Sequence, residues 1–147
     1  MMEHKIRVRR AYLPAQPEDG VRVLVDRLWP RGVSREALQA AAWRRGIAPS
    51  DAARKAFGHK PEKFAAFAAQ YRAELEANPQ AADFLTDCRA WLADADVTLL
   101  FAAKDVQHSN AAVLQAWLAQ KLQVQAVPPA NPDGSAAKDA GAPDCAG

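Results

Sequence analysis

The chain has 147 residues, of which half are hydrophobic and 24% are charged, as in one ordinary globular domain. No apolar run approaches the roughly 18–20 residues that a membrane-spanning helix needs, which argues against an integral membrane protein of that class. The N-terminus, MMEHKIRVRR, lacks the apolar segment of a secretory signal, so we expect a cytoplasmic protein that does not contact a membrane.

Charge is distributed unevenly along the chain. Residues 1–60 carry 13 Lys and Arg against 6 Asp and Glu, whereas residues 61–122 carry 5 against 8. A basic first half points to an anionic partner, which is either a small phosphate or carboxylate ligand or a nucleic acid. A basic surface without a partner would have the same composition, so charge alone does not distinguish a protein with an anionic partner from one without.

Short apolar strands and amphipathic helices alternate along residues 5–122. Proline and glycine mark the loop over residues 14–20, and Ser34 and Ser50 are predicted helix N-caps. In chain order the pattern predicts a strand over 5–10, a strand over 21–28, a helix over 34–40, a helix over 50–57, a helix from 61 to 77, a helix over 81–92, a strand over 97–105 and a helix over 110–122.

Two cysteines are too few for a disulfide framework. No CxxC or CxxH pair occurs, so the sequence does not indicate a zinc site. Cys88 falls on the apolar face of its predicted helix and is expected to be a small core residue. Cys145 lies close to the end of the chain.

The composition changes at Gln123. The segment PPANPDGSAAKDAGAPDCAG has four prolines and three glycines and no large apolar side chain, which predicts a disordered C-terminal tail over residues 123–147. A short edge strand over 123–127 is the alternative for the start of this segment. The folded domain is therefore predicted to occupy residues 1–122.

We expect deletion of residues 128–147 to leave the melting temperature nearly unchanged, because this segment offers no apolar anchor. Thermal denaturation of the full-length and shortened chains checks this. A fall of many degrees in the shortened chain would mean that the tail packs on the domain.

The alternation of strands and helices predicts an α/β fold, a single domain with a small mostly parallel sheet flanked by helices. Such sheets bind ligands outside the carboxyl ends of their strands. Two predicted strands run directly into charged residues, at Asp26-Arg27 and at Lys104-Asp105. We expect these four side chains to lie at the same edge of the sheet.

The basic residues at this edge are candidate anion ligands. Arg27 and Arg31 could each bind a phosphate or carboxylate through two hydrogen bonds, although Arg27 could instead form a structural ion pair with Asp26. Lys104 precedes a helix whose N-terminus adds favourable N–H groups, and Asp105 could cap that helix. A lysine buried at this edge would need either an internal carboxylate or a bound anion.

Acid–base chemistry has few candidates. His59 and His108 are the candidate histidines, and His59 could serve either as a proton carrier or as a loop anchor. Asp26 and Asp105 could bind a metal with these histidines, but their wide separation in sequence provides no ligand spacing for one. Neither GxGxxG nor GxxxxGK[ST] occurs, so the usual dinucleotide and P-loop sites are excluded.

Several stretches resemble the YeaO-like bacterial family, a domain of unknown function (DUF 488). They are DGVRVLVDRLWPRGVS, WRRGIAPS, FGHKPEKF, YRAEL, VTLLFAAKD and HSNAAVL, and together they span most of residues 5–122. The resemblance implies no established reaction. It does imply that the following residues stand at motif positions: Asp26, Arg27, Trp29, Arg31, Pro49, Ser50, Arg54, His59, Lys104, Asp105 and Asn110.

The favoured hypothesis is a polar anion-accepting pocket at the strand ends, in a protein that could be an enzyme acting on a phosphorylated or nucleotide-like small molecule. Its candidate proton-transfer residues are Asp26, His59 and Asp105. Its candidate ligand-binding residues are Arg27, Arg31, Ser50, Arg54, Lys104 and Asn110. No cofactor and no oligomeric state is indicated.

The alternative is a non-enzymatic binding or regulatory module, with nucleic acid as a partner of its basic half. That function requires an exposed face carrying Arg7, Arg9, Arg22, Arg44 and Arg45.

Overall fold

The computed structural model describes residues 4–128 and places five parallel strands in one sheet. The strands are β1 (Lys5–Arg10), β2 (Val21–Leu24), β3 (Ala42–Trp43), β4 (Val97–Phe101) and β5 (Gln125–Ala126). Their order across the sheet is β3-β2-β4-β1-β5, so β4 lies between the first two strands of the chain. The predicted α/β fold with a parallel sheet is confirmed.

Five α-helices connect and cover the strands. They are α1 (Arg35–Leu38), α2 (Asp51–Phe57), α3 (Phe64–Ala77), α4 (Pro79–Leu92) and α5 (Asn110–Leu122). The predicted cap at Ser50 is confirmed, because its side chain accepts a hydrogen bond from the N–H of Ala53. The helix predicted from Pro61 begins as a 3₁₀ turn over Pro61–Lys63 and becomes α-helical at Phe64.

The two faces of the sheet are covered unequally. Side chains of α2, α3, α4 and α5 form the main core with one face, and Cys88 is fully buried in it as predicted. On the other face, Leu38 of α1 packs with Ala11, Leu24 and Leu100 in a smaller cluster. The second face is therefore covered by one short helix and the loops beside it.

Both central strands end earlier than the hydrophobic pattern predicts, β2 at Leu24 and β4 at Phe101. The reason is the side chain of Asp26, whose Oδ2 accepts the N–H of Ala102 at 2.8 Å where a strand carbonyl would otherwise accept it. The backbone hydrogen bonds between β2 and β4 therefore stop at the point where the Asp26 carboxylate replaces a backbone carbonyl as acceptor. Strand β3 was not predicted, since two residues are too short to leave a pattern.

The C-terminal edge of the sheet extends beyond the predicted boundary at residue 122. Strand β5 pairs with β1, and the N–H of Val127 donates to the carbonyl of Ile6 at 2.9 Å. Gln115 donates to the carbonyls of both Ile6 and Val127, which holds this edge to α5. The remainder of the predicted disordered tail, residues 129–147, lies outside the described residues.

One ion pair is buried beneath the smaller cluster. Asp19 and Arg22 are 1% and 4% exposed, and Arg22 Nη1 donates to Asp19 Oδ2 at 2.6 Å. Arg22 Nε also donates to the carbonyl of Leu38 at 2.8 Å, whereas its Nη2 has no hydrogen-bond partner among residues 4–128. This pair therefore connects β2 to the end of α1.

Within residues 4–128, no helix has the length and apolar character needed to cross a membrane.

Candidate functional site

The carboxyl ends of β2 and β4 lie at the position in the sheet where the topology favours ligand binding. The chain leaves β2 toward β3 on one side and leaves β4 toward β5 on the other, so the two connections diverge at this point. Parallel α/β sheets bind their ligands at such a switch point. As expected from the sequence, both strand-to-charge transitions lie at this edge.

Asp26 follows the end of β2, and both of its carboxylate oxygens accept hydrogen bonds. Oδ2 accepts from the N–H of Ala102, and Oδ1 accepts from Nδ2 of Asn110 at 3.1 Å. The backbone carbonyl of Asp26 accepts the indole N–H of Trp43 at 2.8 Å. Asp26 thus joins the loop after β2 to β3, to the end of β4 and to the first turn of α5.

Burial raises the pKa of Asp26 above its ordinary value. The hydrogen bonds from Ala102 and Asn110 act in the opposite direction, as does the positive charge of nearby Arg54, but burial has the larger effect. Asp26 is therefore a carboxyl group that the fold holds in an environment unfavourable to its charge.

Two arginines converge on one carboxylate oxygen at the start of α2. Arg27 Nη1 and Arg54 Nη2 both donate to Oδ1 of Asp51. The hydrogen bond from Arg54, with the charges of Arg27 and Lys55, holds the pKa of Asp51 below its ordinary value. Arg27 thus pairs with Asp51 and not with Asp26, whose ion pair was one of the two alternatives for Arg27.

Ser50 is bound to a carboxylate that the sequence analysis missed. Its Oγ donates to Glu74 Oε2 at 2.5 Å, and its N–H donates to Glu74 Oε1 at 3.0 Å. Glu74 lies in the motif YRAEL on α3, between the buried residues Tyr71 and Leu75. An acidic residue flanked by two core positions was the signal available in the sequence.

Arg31 and Lys104 are both exposed, and neither forms an ion pair within residues 4–128. The argument that Lys104 needs a buried partner therefore does not apply, because its side chain stays in water. Both remain candidates for the outer rim of an anion site at this edge.

The remaining acid–base candidates lie on the surface. Asp105 Oδ2 contacts Nδ1 of His108 at 2.9 Å, and its Oδ1 accepts the N–H of His108. It does not cap α5, since Ser109 immediately precedes the helix and accepts from the N–H of Ala112. His59 is exposed and adopts a positive φ of 58°.

Aromatic side chains bring the two histidines to the same neighbourhood. The ring of His108 meets Phe64 edge-on at 5.1 Å, and the ring of His59 lies 6.0 Å from Phe57. Phe57 and Phe64 are themselves 5.8 Å apart. These contacts support the loop-anchor role of His59 that was one of its two alternatives.

The arginines proposed for nucleic-acid contact do not form one exposed face. Arg22 is buried, Arg7 pairs with Asp96, and Arg44 pairs with Asp87. Most of these arginines thus form ion pairs with carboxylates of the domain itself. No group of three His, Cys, Asp or Glu side chains arranged to hold a metal ion occurs in residues 4–128.

Comparison with known proteins finds one matching family model and several similar proteins. A family model described as "Inactive DUF488-N3 subclade" matches residues 5–138. The uncharacterised protein YeaO of Escherichia coli (strain K12) is 41% identical over 113 residues, which cover 77% of this chain and 96% of that protein. The uncharacterised protein Rv3073c of Mycobacterium tuberculosis (strain ATCC 25618 / H37Rv) is 38% identical over 112 residues, 76% of this chain and 92% of that protein. No solved structure matches the chain.

Proposed function

The chain belongs to the inactive DUF488-N3 subclade, and from this membership and the geometry of the sheet edge we propose that it is a cytoplasmic, non-catalytic binding domain for a small anion. The anion is a phosphate or carboxylate group of a small molecule, bound beside the carboxyl end of β2.

The observation that carries this proposal is the shared contact of Arg27 and Arg54 with Asp51 Oδ1. Guanidinium groups bind carboxylates and phosphates with planar pairs of hydrogen bonds. Asp51 shows that this position accepts an anionic oxygen, and a ligand oxygen would share or take that position. Lys55 also acts on the same carboxylate, so three cations surround one anion and the cluster keeps a net positive charge.

The contacts of the acid–base candidates favour binding over catalysis. Asp26 uses both oxygens to hold Ala102 and Asn110, and Asp105 is bound to His108 on the surface. A general acid or base exchanges a proton with a substrate within hydrogen-bond reach, whereas these contacts already give both carboxylates a structural role. The family description agrees with this, since it names the subclade inactive.

The test is the substitution Asp51→Asn, which removes the internal competitor while keeping the size of the side chain. We expect it to tighten the binding of inorganic phosphate about tenfold, because Arg27 and Arg54 lose their ionic partner and the site gains one net positive charge. At a hundredfold excess over the dissociation constant, phosphate should stabilise the protein by about 2.7 kcal/mol. Thermal shifts over a phosphate and sulfate series, each measured against the same variant without anion, provide the readout.

Asp87→Asn is the matched control, since Asp87 also holds one arginine at the surface and its loss changes the net charge equally. Its phosphate affinity should equal that of the wild type, whereas Arg27→Ala and Arg54→Ala should lose the stabilisation. Equal tightening in Asp51→Asn and Asp87→Asn would mean a nonspecific charge effect and would refute the proposed site.

A further inference from the structure

A concave site lies outside the anion cluster, at the carboxyl end of β3. It is a depression of about 280 Å³ between the loop that follows β3 and the first turns of α4. Its lining residues are Trp43, Arg44, Arg45, Gly46, Ile47, Gln80 and Asp83. The volume is close to the lower end of the range typical of small-molecule sites, so it suits a ligand with a single small ring system.

We propose that this depression binds the planar ring of a nucleobase, with the guanidinium of Arg45 as its stacking platform. Arg45 lies over the indole ring of Trp43, with Cζ 4.8 Å from the ring centroid. The indole ring attracts the guanidinium and holds it at the depression, and bases stack on arginine planes as well as on aromatic rings.

The other basic residue of the lining is already bound within the domain. Arg44 donates to Asp87 and lies 5.5 Å from the ring centroids of both Phe84 and Trp91. Its contacts fix the wall of the depression, and its charge is neutralised. Within residues 4–128, Arg45 forms no ion pair, so its planar surface is available to a ligand.

The polar groups of the lining match the edge of a base. Asp83 is exposed and can only accept hydrogen bonds when ionised, whereas the amide of Gln80 both donates and accepts. A carboxylate acceptor pairs with the exocyclic amino groups of bases, which uracil lacks. Bases that carry an amino group should therefore bind better than uracil.

Gly46 provides the space in which the amide of Gln80 lies. A Cβ at residue 46 would stand 1.8 Å from Gln80 Oε1 and 2.3 Å from its Cδ, so any larger residue must displace that side chain. Gly46 itself is exposed, which means that its replacement by alanine disturbs the depression more than the core.

The test uses nucleosides without phosphate, so that the anion cluster takes no part. The indole N–H signal of Trp43 in a ¹H–¹⁵N spectrum, assigned by its disappearance in Trp43→Phe, should shift on addition of adenosine, guanosine or cytidine and much less on addition of uridine. Arg45→Ala and Arg45→Lys should each weaken binding about tenfold, because lysine keeps the charge but lacks the plane. Gly46→Ala should weaken binding to a similar extent while the melting temperature stays within a few degrees of the wild type.

Arg72→Ala, a change at an exposed arginine of α3, is the matched control and should bind like the wild type. Arg27→Ala should also leave nucleoside binding unchanged, so failure of the anion site and failure of the ring site are distinguishable. A parallel titration with a four-nucleotide single strand distinguishes a free nucleoside from a base within a chain as the source of the ring. Absence of a Trp43 shift with every probe, or unaltered binding in Arg45→Lys, would overturn the proposal.

Discussion

Replacing Asp19 by alanine is expected to lower the free energy of unfolding by about 3–5 kcal/mol, the largest loss that we expect from a single exposed or buried charge in this domain. The substitution leaves the guanidinium of Arg22 buried without its carboxylate, and Arg22 Nη2 already lacks a partner within residues 4–128. It also removes the acceptor for the N–H of Gln16. For a domain of this size the melting temperature should fall by about 10 °C or more.

The matched comparison is Asp87→Ala, which breaks the ion pair with Arg44 at the surface and should cost less than about 1 kcal/mol. The double variant Asp19→Leu with Arg22→Met removes both charges and should regain most of the lost stability. Chemical denaturation of the three variants gives the free energies. A loss in Asp19→Ala no greater than that in Asp87→Ala would show that burial of the pair has been misjudged.

Replacing Asp26 by alanine is expected to cost about 3 kcal/mol, because the N–H of Ala102 and the amide of Asn110 both lose their acceptor. Asp26→Asn should be milder, since the new amide still offers one acceptor oxygen. Comparing the stabilities of Asp26→Ala and Asp26→Asn separates the contribution of the Asp26 hydrogen bonds from that of its charge.

The charge of Asp26 should appear in the pH dependence of stability. Because its folded-state pKa is raised above 3.8, its favourable contribution is complete below the unfolded value and is lost as the pH rises through the folded value. The free energy of unfolding of the wild type should therefore fall relative to that of Asp26→Asn as the pH increases above about 3.8. Denaturation of both proteins between pH 3 and pH 7 measures the difference, and a constant difference would contradict the raised pKa.

Local signals in the sequence predicted local structure well. Ser50 caps α2 and the strand and helix types are as expected, because caps and hydrophobic periodicity depend on neighbours within a few residues. The same local logic misplaced the cap of α5, since Asp105 and Ser109 both had the right chemistry and only the helix start distinguishes them.

Partners distant in sequence could not be predicted. Arg27 binds Asp51 and Ser50 binds Glu74, and each pair is separated by 24 residues. Such contacts depend on how α2 and α3 pack against the sheet, which no pattern in the chain encodes directly. The sequence therefore indicated that the two strand-to-charge transitions share one edge of the sheet, but not how the charged residues there pair with one another.

The central position of β4 has a consequence for how the protein is made. Within residues 4–128, strand β1 pairs only with β4 and β5, and both follow residue 96 in the chain. A nascent chain that has reached α4 therefore carries β1 unpaired and β2 beside only the two residues of β3. The sheet is completed when β4 inserts between them, so productive folding waits for about the last quarter of the domain to leave the ribosome. Until then the open edges of β1 and β2 can pair with other chains, which makes this interval the one in which aggregation competes with folding.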